Sequence, residues 1–96
     1  ETGFKEREMV LLGSVHPNPV PAGAMQFGVT APVGQPVRLE LYDMAGRRAA
    51  NLGSVEGSGN PMSVFRAVPS DLPSGVYMLV AEGAGQVRQQ RVTVLR

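Results

Sequence analysis

The sequence predicts an all-β domain, an immunoglobulin-like β-sandwich of about seven antiparallel strands in two sheets. Three observations carry this. Short apolar segments recur at regular spacing, with Gly, Pro, Asn and Ser turn signals between them. No stretch shows a sustained helical period. Val37–Arg48 (V-R-L-E-L-Y-D-M-A-G-R-R) reads as a strand, a tight turn and the start of a returning strand.

The elements follow in order. Phe4–Glu8 is charged, so residues 1–8 read as a linker or a cloning remnant; the domain proper is 9–96. Met9–Val15 is apolar enough for a first strand but lacks clean alternation. His16-Pro17-Asn18-Pro19-Val20-Pro21 is expected to leave the sheet as a stiff crossing between sheets, because each proline removes a donor and keeps its predecessor extended. In Ala24–Thr30, Met25, Phe27 and Val29 share one face. Ala31–Pro36 is a turn. In Val37–Tyr42, Val37, Leu39 and Leu41 alternate with Arg38, Glu40 and Tyr42, which marks one buried and one wet face.

Asp43 sits where a type I turn wants a short acceptor, with Met44 and Ala45 at its centre. Gly46 falls where positive φ is needed, giving a three-residue hairpin with a glycine bulge. Arg47–Leu52 is the return strand, weakened by Ala49 and Ala50, and Gly53–Asn60 reads as a flexible loop. Met62–Val68 is a further strand with Val64 and Phe65 as its core residues. Pro69–Gly75 is a long turn. Val76–Ala81 is apolar on both faces and so the most central strand. Glu82-Gly83-Ala84-Gly85 turns the chain into the closing strand, Gln86–Leu95.

Composition narrows the chemistry. Ninety-six residues make one domain with one modest core. With no cysteine, disulfides, thiolate metal sites and a cysteine nucleophile are excluded. Nine Lys+Arg against eight Asp+Glu give a charge of +1, which recommends no nucleic-acid partner. The charge is nevertheless uneven: after Glu82 no acidic residue occurs, while Arg88, Arg91 and Arg96 follow. No apolar run approaches the roughly 18 residues of a membrane span.

No enzymatic constellation emerges. The single histidine, His16, has no partner for catalysis or metal binding nearby. Asp43 and Asp71 stand in turns, where capping the backbone is the ordinary role. No stretch has calcium-loop spacing, a phosphate-binding glycine loop or a nucleophile elbow. With no Trp, two Tyr and three Phe, a sugar platform is poorly supplied; Tyr42 reads as cross-strand packing. The expectation is a domain that is not an enzyme and carries no cofactor or metal.

Three segments in order resemble one known family. His16-Pro17-Asn18-Pro19 is similar to its Y-P-N-P segment, with His16 replacing the aromatic. Leu39–Arg47 (L-E-L-Y-D-M-A-G-R) is similar to its strand-turn motif, ending I/V-Y-D-x-x-G-R. Leu72–Val80 (L-P-S-G-V-Y-M-L-V) is similar to its L-x-x-G-x-Y strand, followed by a basic-apolar last strand with Arg where Lys is usual. Together these resemble the type A C-terminal sorting domain of cargo proteins exported by the type IX (Por) secretion system of Bacteroidota.

That resemblance implies an immunoglobulin-like export signal behind an N-terminal cargo domain. Its partners would be the outer-membrane translocon, shuttle proteins and a sortase-like peptidase, and its route the periplasm and then the cell surface or medium. The motif residues Pro17, Asn18, Pro19, Tyr42, Asp43, Gly46, Arg47, Gly75 and Tyr77 are then mainly structural. Recognition is expected in the last strand, at Arg88, Gln90, Arg91, Val92, Val94 and Arg96. A terminal strand at a sheet edge also offers unpaired N–H and C=O groups to an added strand, from a partner or from a second copy in a homodimer. The competing reading is a structural or adhesive immunoglobulin-like module.

Overall fold

The computed structural model describes residues 9–17 and 24–95. The proposed linker 1–8, together with Asn18, Pro19 and Arg96, lies outside the described residues. Seven strands form two antiparallel sheets: β1 (Leu11–Leu12), β2 (Ala24–Thr30), β3 (Pro36–Asp43), β4 (Arg48–Glu56), β5 (Met62–Ala67), β6 (Gly75–Gly83) and β7 (Gln86–Val94). The sheet orders are β1-β2-β5 and β4-β3-β6-β7. This is the expected all-β sandwich. It differs from the constant-type immunoglobulin arrangement in that the fourth strand stays beside the third and does not join the first sheet.

Alternation decides which side chains meet between the sheets. Met25, Phe27 and Val29 of β2 face Leu39 and Leu41 of β3 and Leu79 of β6, all nearly inaccessible to water. β6 lies between β3 and β7, as its two-sided apolar pattern predicted. No polar or charged side chain is buried among the described residues, so the core is held by apolar packing.

Four expectations need correction. The first strand is only two residues long, although the chain keeps following β2: Gly13 N–H donates to Gly28, and His16 exchanges backbone hydrogen bonds with Gln26. Between those points Ser14 and Val15 together oppose Phe27, a bulge that lets both Val10 and Val15 turn inward. The proline segment therefore does not carry the chain between sheets, because β1 and β2 belong to the same one.

The return strand β4 runs on to Glu56, through what reads as loop, because two bulges interrupt its period. Leu52 and Gly53 oppose Leu39, with Gly53 at φ +83°, and Ala49 is extra between the pairs Leu41–Ala50 and Tyr42–Arg48. Phe65 is 60% exposed, since Val64 points inward and adjacent strand residues point to opposite faces.

The chain crosses between sheets at 31–35, 57–61 and 68–74, and the first two crossings hydrogen-bond to each other. Gly34 N–H donates to Gly57, Gly57 N–H to Gln35 and Gly59 N–H to Ala31. Gly57 is buried in this contact, and a Cβ there would stand 2.0 Å from the carbonyl oxygen of Pro32. A backbone atom cannot move aside as a side chain can.

The open sides of the sandwich are also bridged. At one, Arg66 of β5 donates from Nε to the carbonyl of Leu52 (2.8 Å) and from Nη2 to that of Ser54 (3.2 Å), both on β4. At the other, Gln90 Nε2 of β7 donates to the carbonyl of Leu12 (3.0 Å), and Gln86 Oε1 accepts from the N–H of Val10 (2.8 Å).

Two stability predictions follow from the turns and crossings. Gly57→Ala should lower unfolding free energy by about 2–3 kcal/mol through overpacking. In the two-residue β6–β7 turn, Ala84 has φ +51° and Gly85 φ +74°. Asn tolerates that region better than Ala, so Ala84→Asn should gain about 0.5–1 kcal/mol. Urea denaturation of both variants checks the two signs.

Candidate functional site

The hairpin motif folds as its residues dictate. Gly46 N–H donates to the Asp43 carbonyl (3.0 Å), Asp43 N–H to the Arg47 carbonyl (2.9 Å), and Gly46 takes φ +86°. Asp43 Oδ1 accepts from the N–H groups of Ala45 and Arg47, both at 2.9 Å, while Arg47 Nε reaches Oδ2 at 3.2 Å. These donors, the Arg47 N–H foremost, hold the Asp43 carboxyl below its ordinary pKa. Asp71, read as a similar cap, makes no side-chain hydrogen bond among the described residues; its turn is closed by the Leu72 N–H to the Pro69 carbonyl.

Gly75 and Tyr77 also have structural roles. Tyr77 is buried, and its hydroxyl donates to the carbonyl of Pro73 at 2.7 Å, tying the long turn to the start of β6. Gly75 opens β6 beside the Tyr77 ring, and Pro17 is exposed after the His16 bridge. Of the described motif residues, Tyr42, Asp43 and Gly46 line one side of the outer sheet face, whereas Tyr77 points into the core and Pro17 and Gly75 stand apart from that lining.

The recognition residues expected in β7 divide by parity. Val92 and Val94 point inward and are core. Gln90 and Arg88 share their face nearer the β6–β7 turn: Gln90 bridges to β1, and Arg88 donates to Gln86 Oε1 and to the Val87 carbonyl. Arg91 is on the other face, exposed, with no hydrogen bond or ion pair among the described residues. Arg88 and Arg91 are three positions apart, so a period-two strand points them to opposite sides.

β7 pairs with β6 over nine consecutive positions without a bulge. The two-residue turn makes Gly83 and Gln86 a hydrogen-bonded pair, so even-numbered residues of β7 bond β6. Gln89 and Arg91 consequently aim their backbone N–H and C=O groups at the free edge.

The outer face of the same sheet carries a feature that single-strand reading missed. Cross-strand register places Tyr42, Met78 and Arg91 in one row, Glu40, Val80 and Gln89 in the next, and Arg38, Glu82 and Val87 in a third. Met78 and Val80 floor a groove of about 460 Å³, closed at one end by Asp43, Met44 and Gly46 of the hairpin turn. Its β3 wall is ordered: Tyr42 donates its hydroxyl to Glu40 Oε1 (3.0 Å), and Arg48 Nη1 reaches Glu40 Oε2 (3.0 Å). Arg48 first and Tyr42 second hold the Glu40 carboxyl below its ordinary pKa, and the same hydrogen bond raises that of Tyr42. Arg38 pairs with Glu82.

Among the described residues no group of three or more His, Asp or Glu side chains is placed to hold a metal ion. No protein-family model and no curated protein matches the chain.

The Asp43 geometry sets a pH dependence. Its folded pKa is depressed, so its contribution is complete above the ordinary carboxylate range and is lost as pH falls through the folded value. Asp43→Asn keeps an acceptor for both amides and removes the charge. Its urea midpoint should fall less between pH about 5 and about 3 than that of the wild type, whereas Asp43→Ala should be destabilised even at neutral pH.

Proposed function

We propose that this domain is a sorting signal that directs a preceding cargo domain across an outer membrane through the type IX translocon. The observation that carries the proposal is the last strand: long, basic, without a bulge, and at a sheet edge with the backbone of Gln89 and Arg91 facing outward. An edge of this kind can be read by adding a strand, with main-chain hydrogen bonds giving affinity and alternate side chains giving specificity. The motifs shared with sorting domains support the reading as a framework. Asp43, Gly46 and Arg47 build one turn, and Tyr77 secures another. Handling by shuttle proteins and a sortase-like peptidase belongs to the same proposal, as does passage through the periplasm to the cell surface.

In β7, the core positions Val92 and Val94 serve folding, whereas Gln89 and Arg91 are free to serve recognition. A second reading, a structural or adhesive module of a secreted protein, draws on the groove of the outer sheet face.

A reporter fused ahead of the chain, in a host with type IX machinery, tests the proposal. Gln89→Pro removes an N–H that points to the free edge and leaves the bonds to β6 in place. The wild-type fusion should reach the surface, and the Gln89→Pro fusion should stay in the periplasm with its thermal transition retained. Equal surface display of a folded Gln89→Pro fusion would refute recognition through this edge. Periplasmic retention of the wild type as well would favour the accessory module.

A further inference from the structure

We infer that the groove on the outer face of the four-stranded sheet docks an extended segment of a partner protein, anchored by an arginine or lysine between apolar residues. The inference stands independently of the export reading. It begins from a surface out of character with its position. An outward sheet face is ordinarily polar, and the outer face of the three-stranded sheet is indeed supplied with Gln26, Thr30 and Ser63 around Phe65. The groove instead presents Met78 and Val80 as its floor and Met44 and Val87 at its margins, the last two 65% and 48% exposed.

Charge selects the occupant. Glu40, Asp43 and Glu82 line the groove, and no cationic side chain does. The arginines paired with these carboxylates, Arg48, Arg47 and Arg38, stand outside the lining. Glu40 and Asp43 already engage both oxygens with Tyr42, Arg48 and the turn. Arg38 and Glu82, by contrast, form an exposed ion pair that contributes little, so Glu82 can accept an incoming cation at small cost. The aliphatic stem of an arginine or lysine can lie on Met78 and Val80 while its head reaches Glu82. Tyr42 adds a ring face for a cation, and the two methionines adapt to the stem. Arg91 stands in the row of Tyr42 and Met78, and directs the incoming charge to the Glu40–Glu82 end.

Shape selects an extended segment. The groove follows three successive outward rows, roughly 13–14 Å along the strands, and it is open above. An anionic segment would bring a like charge to the exposed carboxylate of Glu82.

The test uses the full chain, labelled with nitrogen-15, titrated with the blocked peptide Thr-Val-Arg-Val-Thr and its Glu-for-Arg counterpart. The arginine peptide should give saturable shifts along β3, β6 and β7 beside the groove, with a dissociation constant of about 1 mM. The glutamate peptide should give none. Val87→Lys places a cation at an exposed groove margin and should weaken binding about tenfold; Phe65→Ser, on the opposite sheet, should leave it unchanged. Equal binding of the glutamate peptide, an absence of saturable shifts, or shifts centred on Phe65 would overturn the inference. So would a concentration-dependent dimer abolished by Val87→Lys, since the groove would then belong to a second copy.

Discussion

Two sheets of this size stay together only if the chain can pass between them closely, and two of its three passages, at 31–35 and 57–61, depend on their contact with each other. Buried Gly57 lets the backbone of one lie against the carbonyl of Pro32 in the other. The contact fixes where β3 begins and where β4 ends, and through them the register of the four-stranded sheet. With no disulfide, and no buried polar side chain among the described residues, the remaining cohesion is apolar packing. Arg66 and Gln90 then close the sides by reaching from one sheet to carbonyls of the other.

Much of this was legible in the sequence because period-two alternation is a local property. The faces of β2 and β3, the central position of β6 and the Asp43–Gly46 turn all follow from neighbours in the chain. The misreadings occur where local rules are interrupted. Bulges at Ser14-Val15, at Ala49 and at Leu52-Gly53 change the phase of a strand, so the ends of β1 and β4 were misplaced. Phe65 looked like core because it is large and apolar, yet its neighbour Val64 had already taken the inward direction. Val15 through Pro17 stays beside β2 despite the prolines, because the pairing of His16 with Gln26 uses groups that proline does not remove.

The candidate sites were only partly legible for a related reason. The last strand could be recognised by its basic residues, but charge counting treats Arg88 and Arg91 as one patch. The strand separates them onto two faces and gives Arg88 work within its own chain, at Gln86 and Val87. The groove was invisible in any single segment. Tyr42, Val80 and Val87 come from three strands and meet only through the β3–β6–β7 register.

The unequal edges of the four-stranded sheet have one more consequence. β4 is bent by two bulges and its carbonyls at Leu52 and Ser54 are occupied by Arg66, whereas β7 is regular. Strand addition at β7 therefore has no counterpart on the far side of the sheet. Within this sheet an added strand would find one continuous edge, and a pairing there about a twofold axis would leave no second one. A twofold pairing through β7 would be closed and would not extend the four-stranded sheet into a fibre.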